Sequence, residues 1–113
     1  MINLHRFANP NQFLRLSSPL VPVAAILTCL LFPVGLYLAL FASPPDYEQR
    51  ETVRIMYVHV PAAWMALLSY TLMAAFSAVA LIWRHPLANV MARSVAPIGA
   101  SFTLICLITG SLW

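Results

Sequence analysis

The chain is poor in charge. Of its 113 residues only 8% are charged, lysine is missing altogether, and the three acids (Asp46, Glu48 and Glu51) fall in one short stretch. A soluble globular domain carries about 25% charged residues, so that class is excluded. The formal charge of +3 comes from six scattered arginines without a basic cluster, which leaves phosphate-backbone binding, and hence nucleic acid, nothing to rest on. Glycine is scarce, no glycine-rich phosphate loop is present, and no serine-nucleophile motif occurs. The acids have no partner histidine for general acid–base chemistry, so nothing reads as a self-contained enzyme. Cys29 and Cys106 lie inside apolar runs, form no CxxC pair, and read as small apolar side chains.

What the chain does have is apolar length. It is 62% hydrophobic, with a mean hydropathy of +0.85. Three runs, Leu20–Ala42, Ala62–Trp83 and Ser94–Trp113, approach or exceed the roughly 20 residues that cross a bilayer core of about 30 Å. The expected fold is therefore all-α: a polytopic membrane protein of three transmembrane helices in a single domain, 1–113. Its parts are a lead (1–19), a first span (20–42), an outer loop (43–61), a second span (62–83), an inner loop (84–93) and a third span (94–113). The first run is longer than a signal-peptide core of about 7–15 residues, so it reads as a retained anchor.

The arginines report orientation. Arg6, Arg15, Arg84 and Arg93 lie in the lead and the second loop, whereas Arg50 and Arg54 share the first loop with all three acids. The positive-inside rule places the N-terminus and the second loop in the cytoplasm and the first loop outside.

Local signals add detail. Phe7, Phe13 and Leu14 with Arg6 and Arg15 fit a short interfacial helix, and a partly ordered tail fits equally. Pro33 predicts a kink in the first span. Ser43-Pro-Pro stops that helix. From Tyr47 onward, Val53, Met56, Tyr57 and Val60 recur at spacings of three and four, predicting a short amphipathic helix on the outer surface. Arg50 and Arg54 would share a face of it, and Pro61 would open the second span. Ala74 with Ala78, and Ala96 with Ala100, are small-residue pairs suited to helix packing, as are Ser69 and Ser77. Trp113 should emerge on the same face as His59. A chain that stops there, with no further loop or helix, reads as the first part of a longer protein.

His59 is the candidate site, since an ionisable group at a membrane boundary is a functional candidate by default. A neutral imidazole is a good axial ligand for haem iron, with Tyr57 and Trp64 nearby and Arg50 and Arg54 able to pair with propionates. An interfacial histidine among lipid-anchoring arginines explains the same residues. His5 and His85 fall on the opposite side, and His85 sits in the short turn Trp83-Arg-His-Pro86.

Several strings resemble a known family. Asp46-Tyr-Glu-Gln, Arg54-Ile-Met-Tyr-Val-His59-Val-Pro61-Ala-Ala, Ala96-Pro97-Ile-Gly99-Ala and Thr109-Gly110-Ser111-Leu-Trp113 are similar to haem exporter protein C, the haem-handling membrane subunit of cytochrome c maturation system I. The resemblance implies that His59 is one of two axial ligands to haem b on the periplasmic side. It also implies that Trp113 is the first tryptophan of a tryptophan-rich outer loop that cradles the haem, and that the second ligand lies in a later loop. The implied partners are a membrane-anchored haem chaperone, ATP-driven transporter subunits and a small accessory membrane subunit. Two other readings stay open: a haem- or quinone-binding subunit of a respiratory oxidoreductase, and a structural remnant that binds nothing.

Overall fold

The computed structural model describes residues 9–113, so Arg6, Phe7 and His5 lie outside the described residues. Four helices follow one another: α1 (Pro10–Ser17), α2 (Leu20–Tyr37), α3 (Val53–Trp83) and α4 (Pro86–Leu112). Three segments, Pro10–Ala42, Val53–Trp83 and Pro86–Leu112, are long and apolar enough to cross a membrane, as the three apolar runs predict. This is an all-α, multi-pass membrane protein.

The Asn9 side chain caps α1 by accepting from Asn11 N–H at 3.0 Å, and Pro10 fits its first turn. Phe13, Leu14 and Arg15 therefore lie on a short helix, and Ser18 and Pro19, both with right-handed helical backbone, lead from it into α2. α2 carries Pro33 inside it and ends in a π turn, Leu38–Ala42. There Ser43 donates both its N–H (2.9 Å) and its hydroxyl (2.8 Å) to the Leu38 carbonyl, and Pro44-Pro45 prevents continuation.

The outer loop differs from expectation. Residues 47–52 are not helical: Asp46 and Arg50 pair backbone to backbone, the Asp46 carboxylate accepts from Gln49 N–H at 3.2 Å, and Arg50 has φ 55°. That left-handed residue cannot belong to a right-handed helix. Arg50 and Arg54 thus share no helix face. Val53–Val60 do form the helix their spacing predicts, but it is the beginning of α3 rather than a separate surface helix. Pro61 sits inside α3, where it costs the Tyr57 carbonyl one hydrogen bond without ending the helix. At about 1.5 Å per residue α3 is roughly 46 Å long, more than the hydrocarbon core needs, so its first turns reach beyond the core or the helix tilts.

The second loop is shorter than the expected 84–93. Only Arg84, left-handed at φ 50°, and His85 separate α3 from α4. His85 accepts from Ala88 N–H at 3.2 Å through Nδ1 and so caps α4, while Pro86 fits its first turn. A polar cap next to an N-terminal proline is a helix-start signal that hydropathy alone passes over.

α3 and α4 form a tight antiparallel hairpin. On α3 the series Ile55, His59, Ala62, Ala66, Ser69 and Met73 recurs at spacings of three and four; on α4, Ala88, Ala92, Val95, Gly99, Phe102, Cys106 and Thr109 do the same. Every member is buried or half-buried, and Ala62, Ser69, Ala88 and Ala92 are the most enclosed. Alternating spacings of three and four along both helices form the seam where they pack. A Cβ on Gly99 would lie 3.0 Å from Ser69 Cβ, so the backbones approach as closely as a missing side chain permits. The pairs Ala74–Ala78 and Ala96–Ala100 are exposed instead, because the link at Arg84–His85 sets the hairpin one face away from them. Ser69 packs in the seam and Ser77 does not.

α2 meets α3 mainly through the π turn. An apolar cavity of about 650 Å³ opens between α2 and the hairpin, lined by Leu31, Gly35, Tyr57, Pro61, Met65 and Ile105 among others. Hydroxyls in the spans donate back to their own helices, for example Thr71 to Leu67 O at 2.9 Å and Thr103 to Gly99 O at 2.7 Å, as lipid requires.

The seam yields a direct test. Gly99→Leu should lower the thermal unfolding midpoint of the detergent-purified chain, overpacking costing about 1–3 kcal/mol. Ala78→Leu, on the exposed face, should leave it nearly unchanged. Equal losses would place the seam elsewhere.

Candidate functional site

His59 lies on the seam side of α3, in its second turn, facing the last turns of α4. Its Nδ1 is 2.9 Å from Thr109 Oγ1 and 4.0 Å from Cys106 Sγ. A Cβ on Gly110 would come within 3.0 Å of His59 Cε1, so the ring rests against bare α4 backbone. Trp113 covers another side, with ring centroids 6.3 Å apart and planes 36° apart. The Trp113 indole donates to Gln49 Oε1 at 3.3 Å, tying the end of α4 to the outer loop. His59 and Trp113 thus share one end of the hairpin.

The other sequence-predicted residues divide. Arg54 is turned to the loop: its Nη2 donates to Ser43 O at 3.2 Å, and its Nε sits 2.6 Å from Glu51 Oε2. That contact is an ion pair out of line for a hydrogen bond, so the buried Nε has no hydrogen-bond partner among the described residues. Arg50 is exposed in the loop. Tyr57, two residues before His59, falls on the opposite face of α3 and lines the apolar cavity. Trp64 is 70% exposed and points away from the hairpin. His85 is at the far end of α3, roughly 35–40 Å from His59 at the helix rise per residue, so the two cannot share an iron.

The structure therefore brings together His59, Trp113, Thr109, Cys106, Gly110 and Gln49. Sequence reading singles out the first two only. Thr109 and Cys106 were detectable in principle, because they continue the spacing of three and four that runs through Gly99 and Phe102. The contact of Gln49 with Trp113 depends on how the outer loop folds, and no local pattern encodes it. Among the described residues, no group of three or more histidine, cysteine or acidic side chains could enclose a metal ion. The site can offer one imidazole and an aromatic wall at one end of the hairpin, which suits a ligand that brings its own bulk.

Comparison with known proteins identifies the family of the chain. The family model described as Heme exporter protein C matches residues 3–113. The chain is similar to Heme exporter protein C of Bradyrhizobium diazoefficiens, at 48% identity over 106 residues, covering 94% of this chain and 40% of that protein. It is 41% identical over 110 residues to the protein of that name from Haemophilus influenzae, covering 97% of this chain and 45% of the relative. The Escherichia coli K12 protein of the same name is 37% identical over 110 residues, with the same coverage. The chain thus spans less than half the length of the curated relatives it matches. No solved structure matches it. With a family model matched over nearly all of its residues, the chain belongs to the Heme exporter protein C family.

Proposed function

We propose that this chain handles haem for cytochrome c maturation, holding it at the periplasmic face of the inner membrane through His59 and passing it on. The observation that carries the reading is the position of His59: one imidazole at the end of the hairpin seam, set against Thr109, Gly110 and Trp113. The names of the relatives support haem as the cargo.

The chemistry follows from the parts. Neutral imidazole ligates haem iron, and a position at the membrane boundary lets the apolar macrocycle rest in the outer leaflet with its propionates toward water. Trp113 offers a face for the macrocycle edge. Arg54, 23% exposed and held beside Glu51, is placed to exchange that exposed carboxylate for a propionate. Arg50 lies in the same loop, farther out. Tyr57 serves the cavity-facing side of α3 and Trp64 its lipid-facing side, rather than the ligand itself. A single axial ligand on an outward-open site suits release more than storage, so the chain acts by ligation and positioning rather than by turnover. The second axial ligand and the surfaces for a haem chaperone, ATP-driven transporter subunits and a small accessory subunit belong to other segments or chains. A respiratory haem or quinone subunit would need a second histidine at the level of His59, and His85 is at the wrong end.

The test is an absorption spectrum of the detergent-purified chain with added haem. A Soret band should appear and be lost in His59→Ala; a band that persists in the variant overturns the ligand assignment, and no band in either chain gives it no haem site of its own. Arg54→Ala should weaken haem retention by about tenfold, since hydrogen bonds to charged groups contribute about 1.5–3 kcal/mol; unchanged retention would remove Arg54 from the site. For orientation, a reporter inserted between Arg84 and His85 should read cytoplasmic and one inserted near Tyr47 periplasmic. The reverse pattern would invert the topology.

A further inference from the structure

We infer that Thr109 is a positioning residue: it holds the neutral His59 ring in the tautomer protonated at Nδ1, so that Nε2 is the nitrogen presented for ligation. The tautomer assignment stands on hydrogen-bond accounting alone. Its use for iron rests on the haem reading above.

A threonine hydroxyl has one proton to give and two lone pairs with which to accept. Thr109 Oγ1 has three neighbours: the carbonyl oxygens of Ile105 at 2.7 Å and Cys106 at 3.2 Å, and His59 Nδ1 at 2.9 Å. Carbonyl oxygens only accept. If the hydroxyl proton went to His59, two oxygen–oxygen contacts, one of 2.7 Å, would set lone pair against lone pair. If the proton goes to the Ile105 carbonyl, shared with Cys106, both contacts become hydrogen bonds and a hydroxyl lone pair faces Nδ1. Nδ1 must then carry a proton and donate it. In a neutral imidazole the remaining lone pair is on Nε2.

The Cys106 thiol does not upset this assignment, because sulfur 4.0 Å from Nδ1 is a weak partner beside an oxygen at 2.9 Å. The ring has little freedom to escape it. Gly110 backbone lies under Cε1, and Trp113 stands on a further side. Metal-bound histidines generally donate their other ring N–H to an acceptor that fixes tautomer and orientation. Here a hydroxyl does that work, and it can act as an acceptor only because its own proton is committed to the α4 backbone. The register of α4 is thereby transmitted to the ligand on α3.

The experiment is nitrogen NMR of the full chain, labelled with ¹⁵N in its histidine rings and held in lipid nanodiscs without haem at alkaline pH, with the His59 signals identified by their loss in His59→Ala. The native chain should show a protonated Nδ1 and a bare Nε2. Thr109→Val, equal in shape but without the hydroxyl, should give a mixture of tautomers, and Thr109→Ser should restore the native signals. A protonated Nε2 in the native chain, or a Val variant with unchanged signals, overturns the inference. Titration with haem then reads the use of that tautomer: Thr109→Val should bind roughly 10–100-fold more weakly, with Ser close to native. If the NMR result is as expected but His59→Ala binds haem as well as the native chain, the haem reading fails and the tautomer assignment survives.

Discussion

The close approach of α3 and α4 is the constraint on which the rest of the structure depends. In lipid there is no hydrophobic force to drive two apolar helices together, because the surrounding tails are as apolar as leucine. What holds them is contact between backbones, and that requires side chains small enough to let the axes close. Ala62, Ser69, Ala88, Ala92 and Gly99 supply this, with Gly99 at a point where even a methyl group would press on Ser69. The two-residue link at Arg84–His85 sets the register, since a left-handed residue followed by a side-chain cap reverses the chain in the least possible length. Once that register is set, the position of every later residue of α4 against α3 follows from it.

His59 shows the consequence. A polar ring in a membrane hairpin is costly unless its hydrogen-bonding groups are met. The seam brings Thr109 opposite it because both belong to the series spaced by three and four. The same register puts the second small residue, Gly110, under the ring, where a larger residue would displace it. α2 has no comparable seam. It meets the hairpin mainly at its last turn and leaves an apolar cavity beside Tyr57 and Pro61, so the first span contributes an anchor and a wall rather than a partner to His59.

Much of this was legible in the sequence, for identifiable reasons. Hydropathy is a sum over many residues, so the three spans and the all-α class survive local errors. The string around His59 marks the site because ionisable groups are rare at that depth. The small-residue pairs Ala74–Ala78 and Ala96–Ala100 satisfy a local spacing rule yet lie outside the α3–α4 seam, because which small-residue face packs within the hairpin is decided by its link, and a spacing rule carries no information about the link. The surface helix expected from Tyr47 failed at Arg50. Its left-handed backbone closes the tight turn made by Asp46, which overrides the preference arginine has for helices elsewhere. The rule that makes Pro61 a helix start holds in water. Within a membrane helix a proline is tolerated in the interior, and here α3 runs through it.

That last difference bears on how the site is held. Had the helix begun at Pro61, His59 would sit in a loop, free to choose its orientation and its exposed nitrogen. Because α3 begins at Val53, His59 is part of a continuous helix, in its second turn, with helix before it and the packed seam after it. Its Cα direction is then fixed by α3 and its ring by Thr109, Gly110 and Trp113 from α4. A ligand held by two helices keeps its geometry while its loop moves. On the proposed reading this separates two tasks that a transfer protein must combine: the nitrogen that meets the iron stays in place, while the Arg54–Glu51 pair and the Gln49–Trp113 contact, both in or against the outer loop, are free to exchange partners as cargo arrives and leaves.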